Sequence, residues 1–166
     1  MPPDLSLTLQ NPDETAYFAR TLAPLLGPGD VLLLEGEIGA GKSHFARALI
    51  DRRLRDLGLA EDIPSPTFTL VQTYHAGDLE IWHSDLYRLN TADEAIELGL
   101  QDAFDSALCL VEWPDRLGSD QPLEAARLSF TPGAHETVRE LSIRAPEGSL
   151  RQQIQQAAAR WETVPS

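Results

Sequence analysis

Apolar and polar positions along the chain change period several times, and each change marks an element. "LSLTL" (residues 5–9) alternates like a short half-buried strand. Asn11, Pro12 and Glu14 then read as a helix start, with Asn11 as the cap, proline in the first turn and a glutamate three residues on, as in a capping box. Ala16, Ala19, Leu22 and Ala23 supply that helix's inner stripe, and Gly27 is expected to end it. "DVLLLEG" (30–36) is a continuous apolar run, as expected of a strand covered on both faces. After a glycine-rich stretch, Phe45, Ala46, Leu49, Ile50, Leu54 and Leu57 return to helical spacing.

The second half repeats this alternation. "TFTLVQTY" and "LEIWHSDLY" predict two strands joined at "HAGD". Thr91 and Glu94 suggest a second capping box before a short helix closed by Gly99. "ALCLVEW" (107–113) is another doubly buried strand, "AARLSFTPGAHETVRELSIRA" (125–145) reads as a hairpin, and Leu150, Ile154, Ala157, Ala158 and Trp161 fall on one side of a last helix. Buried strands alternating with helices imply an α/β fold. The expected architecture is a three-layer P-loop NTPase-like domain whose central sheet is mixed and partly parallel, because of the two hairpins. The 166 residues suit a single domain, 1–166, with a loose tail at about 162–166.

The stretch between the second strand and its helix carries the chemistry. Gly36, Gly41, Lys42 and Ser43 match G-x-x-x-x-G-K-[ST]. Glycines allow the N–H groups from Glu37 through Ile38, Gly39, Ala40 and Gly41 to Lys42 to approach a phosphate, and the start of the following helix adds its positive dipole end. Lys42 supplies a charge for the β- and γ-phosphates, and Ser43 a hydroxyl for Mg²⁺. A chance match in a chain this long is expected only about a few times in a thousand at ordinary glycine content. A nucleoside triphosphate is the expected ligand, and the chain has no N-K-x-D stretch for guanine, so ATP is expected.

Mg²⁺ also asks for carboxylates, which open α/β sheets present at strand ends. Asp85 ends "LEIWHSD" and Glu112 ends "ALCLVE". Either one alone reads as a solvated strand-end acid, but the pair points to a metal site. Ser65 and Thr67 in "SPTF" stand where a switch segment would reach a γ-phosphate, or they are the hydroxyls of a proline-anchored turn. His83, two residues before Asp85, shares its sheet face, either within the site or as a structural histidine. His44, His75 and His135 show no ligand spacing.

Charge narrows the partners. With 26 acidic against 13 basic side chains, the net charge of −13 opposes stable unassisted binding to nucleic acid and favours a basic protein partner. The one cysteine, Cys109, lies in an apolar run and reads as a small core residue, so no disulfide framework or four-cysteine zinc site is expected. "MPPDLSL" has no basic segment followed by an apolar stretch, and no run approaches the roughly 18 apolar residues of a membrane span. A cytoplasmic chain with no membrane association is expected, with a monomer as the simplest state.

Taken in order, "GEIGAGKS", "SPTFTLVQTY", "HSDLYRL", "ELGLQD" and "LVEWPDR" resemble the bacterial TsaE (YjeE) family, from about Asn11 to Arg116. These small ATPases are required for threonylcarbamoyl modification of adenosine 37 in tRNA. The resemblance implies that Gly36 to Ser43 hold the phosphates, that Ser43 and Glu112 hold Mg²⁺, and that Ser65 and Thr67 form a switch-like segment. It gives Asp85 a role in hydrolysis and places Trp113 by the nucleotide. Thr15 and Arg139 are the nearest positions to the family's contacts at the adenine end. It further implies that a TsaB–TsaD complex is the partner and that TsaD transfers the threonylcarbamoyl group. Hydrolysis would be slow in the isolated chain, because no arginine is an obvious finger in cis; Arg88 is the nearest candidate, and nothing in the sequence shows it reaching the γ-phosphate. The chain departs from the family pattern at Ser43, where threonine is common, and at Asp115, where glutamate is frequent. The readings outside this family are a small-molecule kinase, which would add an arginine-rich lid, and a nucleotide-dependent binding module without turnover.

Overall fold

The computed structural model describes residues 5–59, 61–66 and 69–162. Its elements run β1 (Leu5–Leu9), α1 (Pro12–Leu22), β2 (Val31–Glu35), α2 (Lys42–Arg55), β3 (Val71–Ala76), β4 (Leu79–Asp85), α3 (Ala92–Glu97), α4 (Leu100–Ser106), β5 (Leu108–Glu112), β6 (Ala126–Pro132), β7 (Arg139–Arg144) and α5 (Ser149–Glu162). The seven strands form one sheet in the order β1-β7-β6-β2-β5-β4-β3. Its centre, β6-β2-β5-β4, is parallel, and β7, β1 and β3 add antiparallel edges. The mixed α/β sheet follows the sequence expectation.

The continuous apolar runs reflect cover on both faces. Leu32 and Leu34 of β2 and Leu108 and Leu110 of β5 join a core with α1, α2 and α5. Their neighbours Val31, Leu33, Cys109 and Val111 join a second core with α3 and α4. Cys109 is fully buried there, and burial pushes its thiol up to about 12, so it packs as a small apolar side chain. On the first face, Phe45 of α2 lies 6.2 Å from Phe18 of α1 and 5.7 Å from Phe130 of β6 between ring centroids, which seats α2 against the sheet.

Helix α1 starts as expected: Asn11 Oδ1 accepts the Glu14 N–H at 2.9 Å. The return bond from the glutamate goes to the Gln10 N–H at 3.2 Å instead of the cap's own. The helix ends at Leu22, not at Gly27, and a single 3₁₀ turn (Ala23–Leu25) follows. Pro24 has no N–H to give the Arg20 carbonyl. That carbonyl accepts Arg52 Nη1–H at 2.9 Å instead.

Two further expectations need correction, and one helix was not anticipated. Helix α2 stops at Arg55, which leaves Leu57 exposed. Thr91 caps α3 through its backbone carbonyl without a side-chain bond. Gly99, itself left-handed, ends α3 as expected and leads straight into the unanticipated α4, a seven-residue helix whose apolar Leu100, Ala103 and Phe104 are too few to establish a period. No described helix is long and apolar enough to cross a membrane.

Candidate functional site

The parallel centre of the sheet brings three strand ends into one row. Register sets Leu34 of β2 opposite Glu112 of β5, and Glu112 opposite Asp85 of β4. The chain leaves β2 through the glycine loop and enters α2, whose first residues face that row.

Glycine is required at two loop positions for different reasons. A Cβ at Gly36 would lie 2.8 Å from the Phe130 carbonyl oxygen, so only glycine lets the loop run this close to β6. Gly41 caps α2 at φ +112°, a conformation that side chains disfavour. The loop N–H of Ala40 is bonded to the Glu37 carbonyl at 3.0 Å.

Lys42 is only 4% exposed. Its ammonium donates to the carbonyls of Gly36 and Glu37, the latter at 3.0 Å, and lies 4.2 Å from the centroid of the Trp113 ring. Burial lowers its pKa below the usual lysine value, and the charges of Glu112 and Asp85 oppose that shift. Ser43 Oγ lies 2.8 and 2.9 Å from the two Glu112 oxygens. Glu112 Oε2 is also 2.7 Å from His83 Nε2. Asp85 Oδ1 accepts the Tyr87 N–H at 3.1 Å. His83, Asp85 and Glu112 are all buried.

Trp113 adopts a left-handed backbone, φ 59° and ψ 52°. A bulky residue there stores strain and persists only where its surroundings hold it. Its N–H reaches the Leu34 carbonyl at 3.3 Å, and Tyr87 packs on its ring at a centroid distance of 4.9 Å.

Lys42, Ser43, Asp85, Glu112 and Trp113 share one cavity of about 450 Å³ with Ile38, Gly39 and Gly41. The sequence-predicted catalytic and metal candidates thus converge, apart from Thr67. Thr67 lies outside the described residues. Ser65 is half-buried in the stretch before it and does not line this cavity. Arg139 faces a neighbouring concavity of about 440 Å³ across the loop, shared with Glu37, Ala40 and His135. Its guanidinium donates to the Gly39 carbonyl at 3.3 Å. Thr15 is buried on α1 and lines neither space.

Sequence reasoning gave no role to three neighbours, Tyr87, His44 and Arg47, and named the fourth, Arg88, only as an arginine-finger candidate. Tyr87 and Arg88 line the cavity just beyond Asp85, and His44 and Arg47 line it from α2. His44 Nε2–H donates to the Pro12 carbonyl at 2.9 Å and ties the start of α1 to α2. The signal for Arg47 was its four-residue spacing from Ser43, which puts both on one helix face. Tyr87 left none, because its role depends on Trp113 folding back over it.

The donor set is all oxygen: a serine hydroxyl and two buried carboxylates. Among the described residues, no three His, Cys, Asp or Glu side chains gather into a metal cage. Mg²⁺ suits such a sparse set, since it keeps waters and takes phosphate oxygens alongside one or two carboxylates. The glycine loop, Lys42 and the N-terminus of α2 fit the anion.

Comparison with known proteins points to one family. The family model "Threonylcarbamoyl adenosine biosynthesis protein TsaE" matches residues 9–141. A tRNA threonylcarbamoyladenosine biosynthesis protein TsaE from Rickettsia felis is 43% identical over 109 residues, 66% of this chain and 62% of that protein. The protein of that name from Bacillus subtilis is 39% identical over 119 residues, 71% of this chain and 72% of that one. The one from Treponema pallidum is 35% identical over 118 residues, 70% and 84% of the two chains. The chain thus spans about three-fifths of the Rickettsia felis and Rickettsia conorii relatives, 62% and 60%. The crystal structure of YdiB from Bacillus subtilis superposes with a TM-score of 0.75 at 29% identity, covering 94% of this chain and 95% of the other.

Proposed function

The chain belongs to the TsaE family, and from that premise we propose that it is a cytoplasmic, Mg²⁺-dependent ATPase of low basal activity. In this reading it supports a TsaB–TsaD complex in forming N6-threonylcarbamoyladenosine at position 37 of tRNA. The observation that carries the proposal is the convergence of Lys42, Ser43, Asp85 and Glu112 on one cavity beside the glycine loop.

Lys42 would exchange its bonds to the Gly36 and Glu37 carbonyls for the β- and γ-phosphate oxygens. Ser43 and Glu112 would hold Mg²⁺, which, when bound, neutralises charge on the phosphates. Asp85, buried and held by the Tyr87 N–H, would orient a water towards the γ-phosphate. Trp113 closes the cavity wall beside Lys42. Arg139 and the concavity across the loop would take the adenine end. Slow basal turnover follows if no arginine reaches the γ-phosphate, and Arg88 and Arg47 are the arginines that line the cavity. The net charge of −13 suits docking on a basic face of the partner proteins.

The kinase reading is disfavoured because Arg52, Arg53 and Arg55 are not lid residues. Arg52 and Arg53 bond to carbonyls at the end of α1, and Arg55 pairs with Asp51 on its own helix. A single-turnover ATP assay, with the chain alone and with TsaB–TsaD, tests the proposal. Slow hydrolysis that changes on adding the partners is expected. Fast hydrolysis indifferent to them, or none under either condition, would overturn it.

A further inference from the structure

His83 stands on the apolar face of β4, in line with fully buried Ile81, and is itself fully buried. An aliphatic side chain would suit that position. The ring's only described polar partner is Glu112 Oε2, 2.7 Å from Nε2, while Nδ1 is buried without a partner. An ionised carboxylate can only accept, so Nε2–H donates to it, while Nδ1 makes no hydrogen bond. The fold therefore tolerates one orphaned nitrogen in order to keep one bond to Glu112. That is a poor arrangement for stability and a good one for fixing a carboxylate.

Glu112 would need fixing because its other partner, Ser43, would turn on binding a cation. The Ser43 hydroxyl has a single proton between two carboxylate oxygens at 2.8 and 2.9 Å, so it favours neither. When Ser43 turns a lone pair to a cation, its hold on the carboxylate changes, whereas a donor from the neighbouring strand does not shift. His83 and Asp85 lie on the same face of β4, so the strand that presents Asp85 to the cavity also carries the donor that orients Glu112.

We propose that His83 is a positioning residue for Glu112: its Nε2–H holds Oε2, fixes the plane of the carboxylate and leaves Oε1 directed to the cation beside Ser43. This rests on the nucleotide-and-Mg²⁺ reading above and assigns it a residue that touches neither ligand. Donors of this kind behind a metal-binding group are worth about 10–100-fold in metal affinity.

The test measures Mg²⁺ affinity rather than turnover. ADP binding to the full chain is followed by calorimetry without metal and across a Mg²⁺ titration, for wild type, His83→Leu, His83→Gln and His83→Asn. His83→Leu should weaken the apparent Mg²⁺ affinity about 10–100-fold and leave metal-free ADP affinity essentially unchanged. Glutamine can place its amide N–H near the position of Nε2, whereas asparagine reaches only that of Nδ1. His83→Gln should therefore recover most of the loss and His83→Asn little of it, a contrast that also serves if His83→Leu does not fold. Wild-type Mg²⁺ affinity in folded His83→Leu, or equal affinities in the glutamine and asparagine variants, would overturn the inference. A wild-type protein whose ADP affinity gains nothing from Mg²⁺ would overturn the underlying metal reading and this inference with it.

Discussion

At the C-terminal end of α2, Arg52, Arg53 and Arg55 stand where the helix dipole favours cations, whereas at its N-terminal end Lys42 stands where the dipole opposes one. Both ends set a cation on backbone carbonyls. Arg53 Nη1 donates to the carbonyls of Ala23 and Leu26 at 2.9 and 2.7 Å, and Arg52 to that of Arg20. Those bonds complete the end of α1 where Pro24 breaks its ladder, and exposed pairs with Asp51 and Asp56 surround them. Lys42 makes the same kind of bond to Gly36 and Glu37, but it is buried beside two carboxylates, and burial lowers its pKa. A helix that obeys local rules at one end and breaks them at the other carries its departure at the glycine-loop cavity, where the proposed phosphates would lie.

The largest effect expected from breaking this contrast is at Lys42. Lys42→Ala removes the cation proposed to meet the β- and γ-phosphates, a charge-assisted contact worth on the order of 1.5–3 kcal/mol or more. Calorimetry should find no measurable ATP binding, and unchanged affinity would put the two ends of α2 on an equal footing. Next come Glu112→Ala and Asp85→Ala, which should stay folded by circular dichroism but lose Mg²⁺-dependent hydrolysis. If both hydrolyse ATP at the wild-type rate, the metal site lies elsewhere.

Substitutions at the other end should act on stability alone. Arg53→Ala leaves two carbonyls at the end of α1 without their charged donor, and about 1.5–3 kcal/mol of stability in urea unfolding should be lost. Its ATP affinity should equal that of wild type, and a matching loss of affinity would blur the distinction. Arg55→Ala should show the smallest effect, about 0.3–0.5 kcal/mol, since its pair with Asp51 is an exposed helix-surface contact.

Much of the site was legible because its signals are local. The spacing from Gly36 to Ser43 is that of a glycine loop suited to a phosphate, and the reason the structure gives for Gly36 is a different one, the Phe130 carbonyl that leaves no room for a Cβ. Asp85 and Glu112 were legible because an acid that terminates an apolar run stops where the strand leaves the core. Helix α4 was not, since seven residues cannot display a period of 3.6. The end of α1 was misjudged because glycine was weighed above Pro24, which removes the N–H that the ladder needs.

From the sequence alone, the periodicities determined which strands are covered on both faces, and the residue types determined what the glycine loop and the strand-end acids are suited to hold. Both are properties of neighbouring residues, whose spacing is set by backbone geometry. Only the tertiary structure decided that β5 lies between β2 and β4, which sets Glu112 against Asp85 and against a serine 69 residues away. It alone decided that His83 reaches Glu112 and that Lys42 rests against Trp113. Strand order is chosen by the packing of whole faces and crossovers. Contacts between residues so distant in the chain form only after that choice, so no local pattern records them.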